Sequence, residues 1–173
     1  MGMRGARHRF MPNRLVFPGG AVDRADLSAH VASGLSRRTE AALHRNANEK
    51  LARALGVAAA RELLEETGFS LGSPPALDGL DYLARAVTPT DSPIRFNARF
   101  FCVHASRVSG EPGGDGELDN LRFYDMAEAL AFDLAGPTRR MLDQLRLWLA
   151  MSEAERDARD HVLVLKDRGW RKE

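Results

Sequence analysis

Apolar residues at helical spacing predict one long helix over about residues 49–67. Its apolar face is formed by Leu51, Leu55, Ala58, Ala59 and Leu63. Asn48 precedes this pattern and has a side chain favoured at a helix N-cap, and Gly68 follows it as a residue typical of a helix C-terminus. Gly56 predicts a bend or a later start, because glycine costs about 1 kcal/mol in a helix interior.

A second amphipathic pattern predicts a helix from Pro137 to about Met151, since proline is favoured in the first helical turn. Its apolar stripe consists of Met141, Leu142, Leu145, Trp148 and Leu149. We interpret this stripe as core packing, with a homodimer contact as the alternative. Shorter helices are predicted over 39–45 and, after the capping residue Asp125, over 126–130.

Apolar runs bounded by turn residues predict strands at 15–17, 80–87, 94–104, 121–124 and 161–165. This mixture of strands and helices predicts an α+β fold. The chain of 173 residues has the size of a single domain with one core. Residues from about 152 onward are rich in charge, and we expect a solvated C-terminal tail there.

The composition excludes several classes of protein. A formal net charge of +1 gives no strong field for recruiting nucleic acid or a membrane surface. No apolar run reaches the roughly 20 residues that a spanning helix needs, and the N-terminus lacks the apolar segment of a signal peptide. A cytoplasmic location is therefore expected. Cys102, the single cysteine, excludes an internal disulfide, and its apolar surroundings favour packing over a nucleophilic role.

Residues 61–69 carry the most informative chemistry. Glu62, Glu65 and Glu66 stand at i, i+3 and i+4 and share one helical face. Gly68 places them in the last turns, where the helix dipole disfavours anions, and each like-charge pair adds a cost of about 0.2–0.5 kcal/mol. Hard oxygen ligands at such a position indicate a divalent cation, most simply Mg²⁺. A solvated acidic helix end is the alternative interpretation.

Two segments together resemble the signature of the Nudix hydrolases. The first is Pro18-Gly19-Gly20, and the second is Arg61-Glu62-x-x-Glu65-Glu66-x-Gly68 followed by Phe69. The family signature is a Gly, five residues, a Glu, seven residues, and then Arg-Glu-aliphatic-x-Glu-Glu-x-Gly-aliphatic. The resemblance implies a Nudix fold, with a mixed β-sheet sandwiched between α-helices. Only 17 residues precede Pro18, so one expectation is that an N-terminal strand of this fold is missing.

The spacing departs from the signature in two ways. Arg61 follows Gly20 by 41 positions instead of 14, so we assign an insertion to about 21–48. It could serve as a lid, a dimer contact or a disordered loop. Counting back eight residues from Arg61, where the first Glu belongs, gives Arg53, unless Glu49 reaches this place from an earlier turn. The insertion and the flanking Phe-Pro-Gly-Gly-Ala-Val-Asp resemble a branch similar to the peroxisomal coenzyme A diphosphatases.

The resemblance implies a metal site and assigns roles to its residues. Mg²⁺, or Mn²⁺ as an alternative, would be bound by the carbonyl of Gly19 or Gly20 together with Glu62, Glu65 and Glu66. Arg61 stands four residues before Glu65, and we expect it to pair with and orient that carboxylate. A fourth acid is expected from a loop, as a ligand or general base. We choose Glu117, six residues before Phe123, over Asp115 and Asp119.

The implied reaction is hydrolysis of the diphosphate linkage in a nucleoside diphosphate derivative, a small molecule such as coenzyme A, ADP-ribose or a dinucleotide. Arg9 and Arg14 lie near the glycine turn and are candidates for contacting a phosphate. Arg95 and Phe96 are candidates for a phosphate and a base, although Phe96 fits a core position equally well. The alternative function is a nucleotide-sensing module with weak or no catalysis, which Arg53 and the short N-terminal segment favour.

Overall fold

The structure is a computed structural model, and it describes residues 1–5, 13–92, 95–167 and 169–173. The strands are β1 (Gly2–Arg4), β2 (Leu15–Val16), β3 (Asp81–Val87), β4 (Asn97–Cys102), β5 (Leu118–Asp119), β6 (Leu163–Lys166) and β7 (Gly169–Lys172). The α-helices are α1 (Arg37–Leu43), α2 (Glu49–Thr67), α3 (Met126–Ala131), α4 (Gly136–Ala150) and α5 (Glu153–Asp157). Short 3-10 helices cover Ala25–Leu27 and Ala105–Arg107.

The larger sheet has four strands in the order β4-β3-β6-β7 and is mixed. The pairing of β3 with β4 and of β6 with β7 is antiparallel, whereas β3 and β6 are parallel. The smaller sheet is antiparallel in the order β2-β1-β5. Its central strand, β1, precedes Leu15, so the described residues do include a strand before β2, and the expectation of a missing N-terminal strand is corrected in this respect.

Helices cover both faces of the larger sheet. On β3, Tyr82 packs in a buried cluster with Leu43 of α1 and Ala52 of α2. Its neighbour Leu83 packs in a different cluster, with Met141 and Trp148 of α4 and Leu165 of β6. On the neighbouring strand β4, Phe101 packs against the first cluster, and Phe100 and Cys102 pack against the second. Because successive residues of a strand point to opposite faces, α1 and α2 lie on one side and α4 on the other. The predicted α+β sandwich is confirmed.

Helix α2 has the predicted bounds because local signals set both of its ends. The Asn48 side chain accepts a hydrogen bond from the Leu51 amide at 2.9 Å, and Gly68 has a φ of 74°, a conformation that glycine adopts without strain. The later start predicted as an alternative at Gly56 does not occur, since α2 runs unbroken from Glu49 to Thr67. A Cβ at Gly56 would lie 2.9 Å from Leu35 Cδ2, so this glycine allows the inserted segment to pack closely.

The inserted segment is part of the folded domain. Ser36 caps α1 by accepting a hydrogen bond from the Thr39 amide at 3.3 Å. The Thr39 hydroxyl donates to the Leu80 carbonyl at 2.7 Å and accepts from the Tyr82 amide at 3.3 Å. Leu43 is fully buried. Helix α1 is thereby fixed to the beginning of β3, and it is not a disordered loop.

Three predictions for the C-terminal half need correction. No strand forms at 121–124, and the short strand β5 lies just before it. The charged segment expected as a solvated tail contains α5, which begins with a capping box formed by Ser152 and Glu155. The strand predicted at 161–165 does form, as β6, and it pairs with β7. In α4, Trp148 is buried but Leu149 is 61% exposed, so the stripe is core only in part. The homodimer stays a prediction.

Among the described residues, no helix combines the length and the apolar character needed to cross a membrane. The cytoplasmic location stays a prediction.

Candidate active site

The glycine bend after β2 contacts the end of α2. The Gly19 amide donates a hydrogen bond to Glu66 Oε2 at 2.9 Å. Gly19 has a φ of 150°, which favours glycine. A Cβ on Gly20 would lie only 2.3 Å from Glu62 Oε1. The absence of a side chain at Gly20 is what lets the Glu62 carboxylate approach the bend so closely.

Glu66 is a buried carboxylate with two acidic neighbours. Only 3% of the residue is exposed. Burial, together with the charges of Glu117 and Glu62, raises the pKa of Glu66 to about 7, although the Gly19 amide favours the ionised form. Arg4 is the cation that opposes this effect. Within the described residues, Glu66 is therefore a buried carboxylate whose ionised form is disfavoured by both burial and neighbouring acids.

A glycine-rich loop over residues 111–116 docks on the C-terminus of α2. The Asp115 amide donates to the Glu65 carbonyl at 2.9 Å, and the Gly113 amide donates to the Thr67 carbonyl at 2.9 Å. Gly114 has a φ of 124°, and a Cβ there would lie 2.4 Å from the Glu66 carbonyl oxygen. The loop thus satisfies carbonyl groups that a helix end leaves without partners, and it leads directly into Glu117.

Glu117 is the loop acid that the structure brings to Glu66. Its charge contributes to the raised pKa of Glu66, and its Oε1 lies 3.6 Å from Arg4 Nη2. Asp115 instead turns back on its own loop and accepts a hydrogen bond from the Glu117 amide at 2.9 Å. Asp119 is exposed in β5 opposite Met3. The role of Glu117 as ligand or general base stays a prediction.

Arg61 binds the carboxylates along one side of α2, including the one we expected it to orient. Its Nη1 lies 2.7 Å from Glu62 Oε1 and 2.9 Å from Glu65 Oε2. Its Nη2 donates to the Ala21 carbonyl at 2.9 Å. Hydrogen bonds to carboxylates, first of all that of Asp26, raise the pKa of Arg61. Arg61 is therefore a permanently charged group that holds these acids in place.

Asp26 was missed by the sequence reasoning. It is 2% exposed and accepts hydrogen bonds from Arg61 Nε at 3.1 Å, Arg61 Nη2 at 3.2 Å and the Asp23 amide at 2.7 Å. Burial alone would raise the pKa of Asp26, but the hydrogen bonds from Arg61 and Asp23 hold it below its usual value. The extra residues between Asp26 and Arg61 do not prevent the pair from forming.

A signal for Asp26 was present in the sequence. It is the sixth residue after Gly20, which is the position of the first signature acid counted forward from the glycine. Counting backward from Arg61 gave Arg53 instead, and Arg53 donates to the Ala29 carbonyl in the structure. Asp26 thus stands at the position of the first signature acid counted from Gly20, and the extra residues before Arg61 follow it.

The four residues predicted to contact substrate have different settings. Arg9 lies outside the described residues. Arg14 Nη1 bonds the Asp133 carbonyl at 2.6 Å and lies 2.5 Å from Asp133 Oδ2, so it is engaged with the connection between α3 and α4. Arg95 and Phe96 are exposed in the connection between β3 and β4. Their roles in substrate binding stay predictions.

The donor atoms at this site fit a hard divalent cation in their chemistry. Carboxylate oxygens are the ligands that Mg²⁺ prefers, and a cation beside Glu66 would favour its ionised form. In the parts of the chain that the structure describes, no three acidic, histidine or cysteine side chains are already grouped as a metal centre. Arg61 forms ion pairs with Glu62 and Glu65, so a cation would compete with this arginine for both carboxylates.

Cys102 does not contribute a nucleophile. It packs beside the cluster that contains Met141 and Trp148, and burial raises the pKa of its thiol to about 12. A thiol with such a pKa is almost fully protonated at neutral pH. The predicted packing role of Cys102 agrees with this setting.

Comparison with known proteins gives the class of this protein. Residues 52–145 match the NUDIX domain family, and because this is more than half of the chain, the chain belongs to that family. The fold is similar to the crystal structure of a NUDIX hydrolase from Alicyclobacillus acidocaldarius, with a TM-score of 0.62 and 24% sequence identity over 82% of this chain and 80% of that chain. No curated protein matches. The family and the fold together support a hydrolase acting on phosphorus-containing anhydrides.

Proposed function

We propose that this protein hydrolyses the diphosphate linkage of a nucleoside diphosphate derivative with the help of a bound divalent cation, Mg²⁺ being the first choice. The observation that carries the proposal is the setting of Glu66. This carboxylate is buried against the glycine bend, near Glu62 and Glu117, and its pKa is raised to about 7. A buried carboxylate beside other acids is suited to binding a cation and is costly for stability alone.

The side chains divide into those that would bind the cation and those that position them. Glu62, Glu66 and Glu117 are the proposed ligands, with Glu65 as a further one. A bound divalent cation neutralises charge on the diphosphate and lowers the pKa of water. Glu117 is partly exposed beside Glu66, and it is our candidate for accepting the proton of the attacking water. The two products would each carry a phosphate group.

The contact between Asp26 and Arg61 favours catalysis over nucleotide sensing. The sensing alternative rested on Arg53 standing where an acid was expected. Asp26 supplies an acid that holds Arg61, so the absence of a glutamate at position 53 does not leave Arg61 without support. The resemblance of the inserted segment to the coenzyme A branch makes coenzyme A-type molecules the first substrates to test, ahead of ADP-ribose and dinucleotides.

The test is a hydrolysis screen with coenzyme A, ADP-ribose, NADH and diadenosine polyphosphates, with and without Mg²⁺. We expect Mg²⁺-dependent turnover of at least one of them, and a loss of roughly 100-fold or more in Glu66→Gln. Glu49→Gln changes an exposed acid at the other end of α2 and should retain the parental rate. Retained nucleotide binding without any turnover would favour the sensor, and a parental rate in Glu66→Gln would refute the assignment of Glu66.

A further inference from the structure

A second cleft lies where α1, α5 and the end of α4 meet β3, and it is unusually rich in cations. The basic residues that line it are Arg38, Arg45, Arg156, Arg159 and His161. Tyr82 also lines this cleft and packs against Ala52, near the start of α2. Glu66 lies 14 residues further along the same helix, which corresponds to roughly 21 Å. The cleft is therefore separate from the candidate active site.

Three of these arginines surround a single buried indole ring. The guanidinium carbons of Arg159, Arg156 and Arg38 lie 4.7, 5.3 and 5.8 Å from the ring centroid of Trp148. Trp148 is 3% exposed. Cations placed within about 6 Å of an indole face are attracted to it, so Trp148 helps to hold the guanidinium groups next to one another.

Neutral backbone groups complete this arrangement. Arg159 donates to the Tyr82 carbonyl at 2.9 Å and to the Leu83 carbonyl at 3.3 Å. Arg156 Nε donates to the Trp148 carbonyl at 3.2 Å. These bonds fix the positions of the two arginines without neutralising their charges.

The carboxylates near the cleft are engaged by one arginine. Asp81 lies 2.8 Å from Arg38 Nη2, and Asp157 bonds Nη1 of the same side chain. Within the described ranges, neither Arg156 nor Arg159 forms an ion pair. Burial lowers the pKa of Arg159, and the nearby charge of Arg38 lowers it further. The cluster thus contains like charges that repel one another and that a bound anion would stabilise.

We propose that this arginine cleft is a binding site for the phosphate group of a small anion, held chiefly by Arg156 together with Arg159. The planar guanidinium group presents paired donors that match phosphate oxygens. The Nε of Arg156 is used by the Trp148 carbonyl, which leaves its two terminal nitrogens for a ligand. Free phosphate and the phosphate ester of a nucleotide share this chemistry, and the experiment below distinguishes them.

The experiment measures anion binding to the full chain by calorimetry and by the fluorescence of Trp148. The protein has two tryptophans, so fluorescence is read in a Trp170→Phe background. A chelator removes divalent cations, which keeps the candidate active site from contributing. We expect saturable binding of inorganic phosphate, and a tighter response to AMP would identify the ester as the better ligand. Sodium chloride at the same ionic strength should give no saturable change.

Variants connect the signal to the cleft. Arg156→Gln should weaken phosphate binding by about tenfold or more, because it removes a charge-assisted contact. Arg45→Gln changes a second lining residue and should weaken binding as well. Arg146→Gln alters an exposed arginine of α4 that does not line the cleft and should bind like the parent. Glu66→Gln should also retain binding.

Two results would overturn the proposal. The first is that the parent shows no saturable phosphate binding. The second is that Arg156→Gln binds phosphate as tightly as the parent while circular dichroism shows both to be folded. Failure of the hydrolysis screen leaves this proposal unaffected, since the two sites are tested by different ligands and different variants.

Discussion

Asp26 and Arg61 show how one contact can set the geometry of several carboxylates. Arg61 bonds Glu62 and Glu65 on one side and Asp26 on the other. The three glutamates were predictable because their significance depends on helical spacing alone. Asp26 was not found, because its role depends on a contact with Arg61, which lies 35 positions away. Its place in the signature is also visible only when residues are counted forward from Gly20.

We predict that Asp26→Asn lowers the free energy of unfolding by about 1–3 kcal/mol, because a largely buried charge pair loses one partner. The rate of hydrolysis should fall as well, since Arg61 then loses the group that orients it. Urea unfolding monitored by circular dichroism measures the first effect. Asp23→Asn is the matched control, because Asp23 is 67% exposed and lies 3.9 Å from Arg61, and its change should stay under about 0.5 kcal/mol. Equal effects of the two variants would contradict the assigned role of Asp26.

At the scale of elements, the end of α2 and the loop over 111–116 form one unit. Loop amides bond the helix carbonyls, and Gly114 lies against the helix backbone. Glu117 follows this loop directly, so its position relative to Glu66 depends on the docking of the loop. The backbone of this glycine-rich loop is thus engaged with the helix end.

Gly114→Ala should disturb this docking. Its added methyl group would clash with the Glu66 carbonyl at 2.4 Å, and φ at this position disfavours other residues. We expect a loss of about 1–3 kcal/mol in the free energy of unfolding and a lower rate of hydrolysis. Gly113→Ala is the control, because its Cβ would make only an ordinary contact of 3.7 Å. Hydrogen exchange of the 111–117 amides measures the docking, and unchanged protection in Gly114→Ala would refute it.

Helices were easier to predict than strands in this chain for a physical reason. The caps at Asn48, Gly68 and Asp125 act within a few residues, so the sequence around each helix end is sufficient to identify it. The strands β1 and β5, which were not predicted, have three and two residues, too few for an alternating pattern. Such strands are defined by pairing across the chain, which local patterns do not report.

At the scale of the whole molecule, the buried carboxylate of Glu66 makes the free energy of unfolding depend on pH. The pKa of Glu66 is about 7 in the folded chain, against a usual value of 4.5. The folded state therefore holds this proton more tightly than the unfolded state. Between pH 4.5 and about 7, unfolding therefore releases this proton. The contribution of Glu66 thus lowers the free energy of unfolding of the metal-free protein as pH rises through this range.

Comparison with Glu66→Gln isolates this contribution. Below pH 4.5 the parent and the variant should have similar stability, and at pH 8 the metal-free variant should be more stable by about 1–2 kcal/mol, allowing for solvent screening. Urea unfolding at both pH values in chelator provides the measurement. Added Mg²⁺ should stabilise the parent at pH 8 more than the variant. If the metal-free parent were more stable than Glu66→Gln at pH 8, the raised pKa assigned to Glu66 would be wrong.

The parallel pairing of β3 with β6 has a consequence for synthesis in the cell. Arg85 lies opposite Val164 and Ala86 opposite Leu165, so one edge of β3 has no partner until the ribosome has released residues almost 80 positions downstream. During that interval the nascent chain exposes an open strand edge, the kind of surface that promotes aggregation. Chaperone demand should therefore peak late in translation, just before this hairpin emerges.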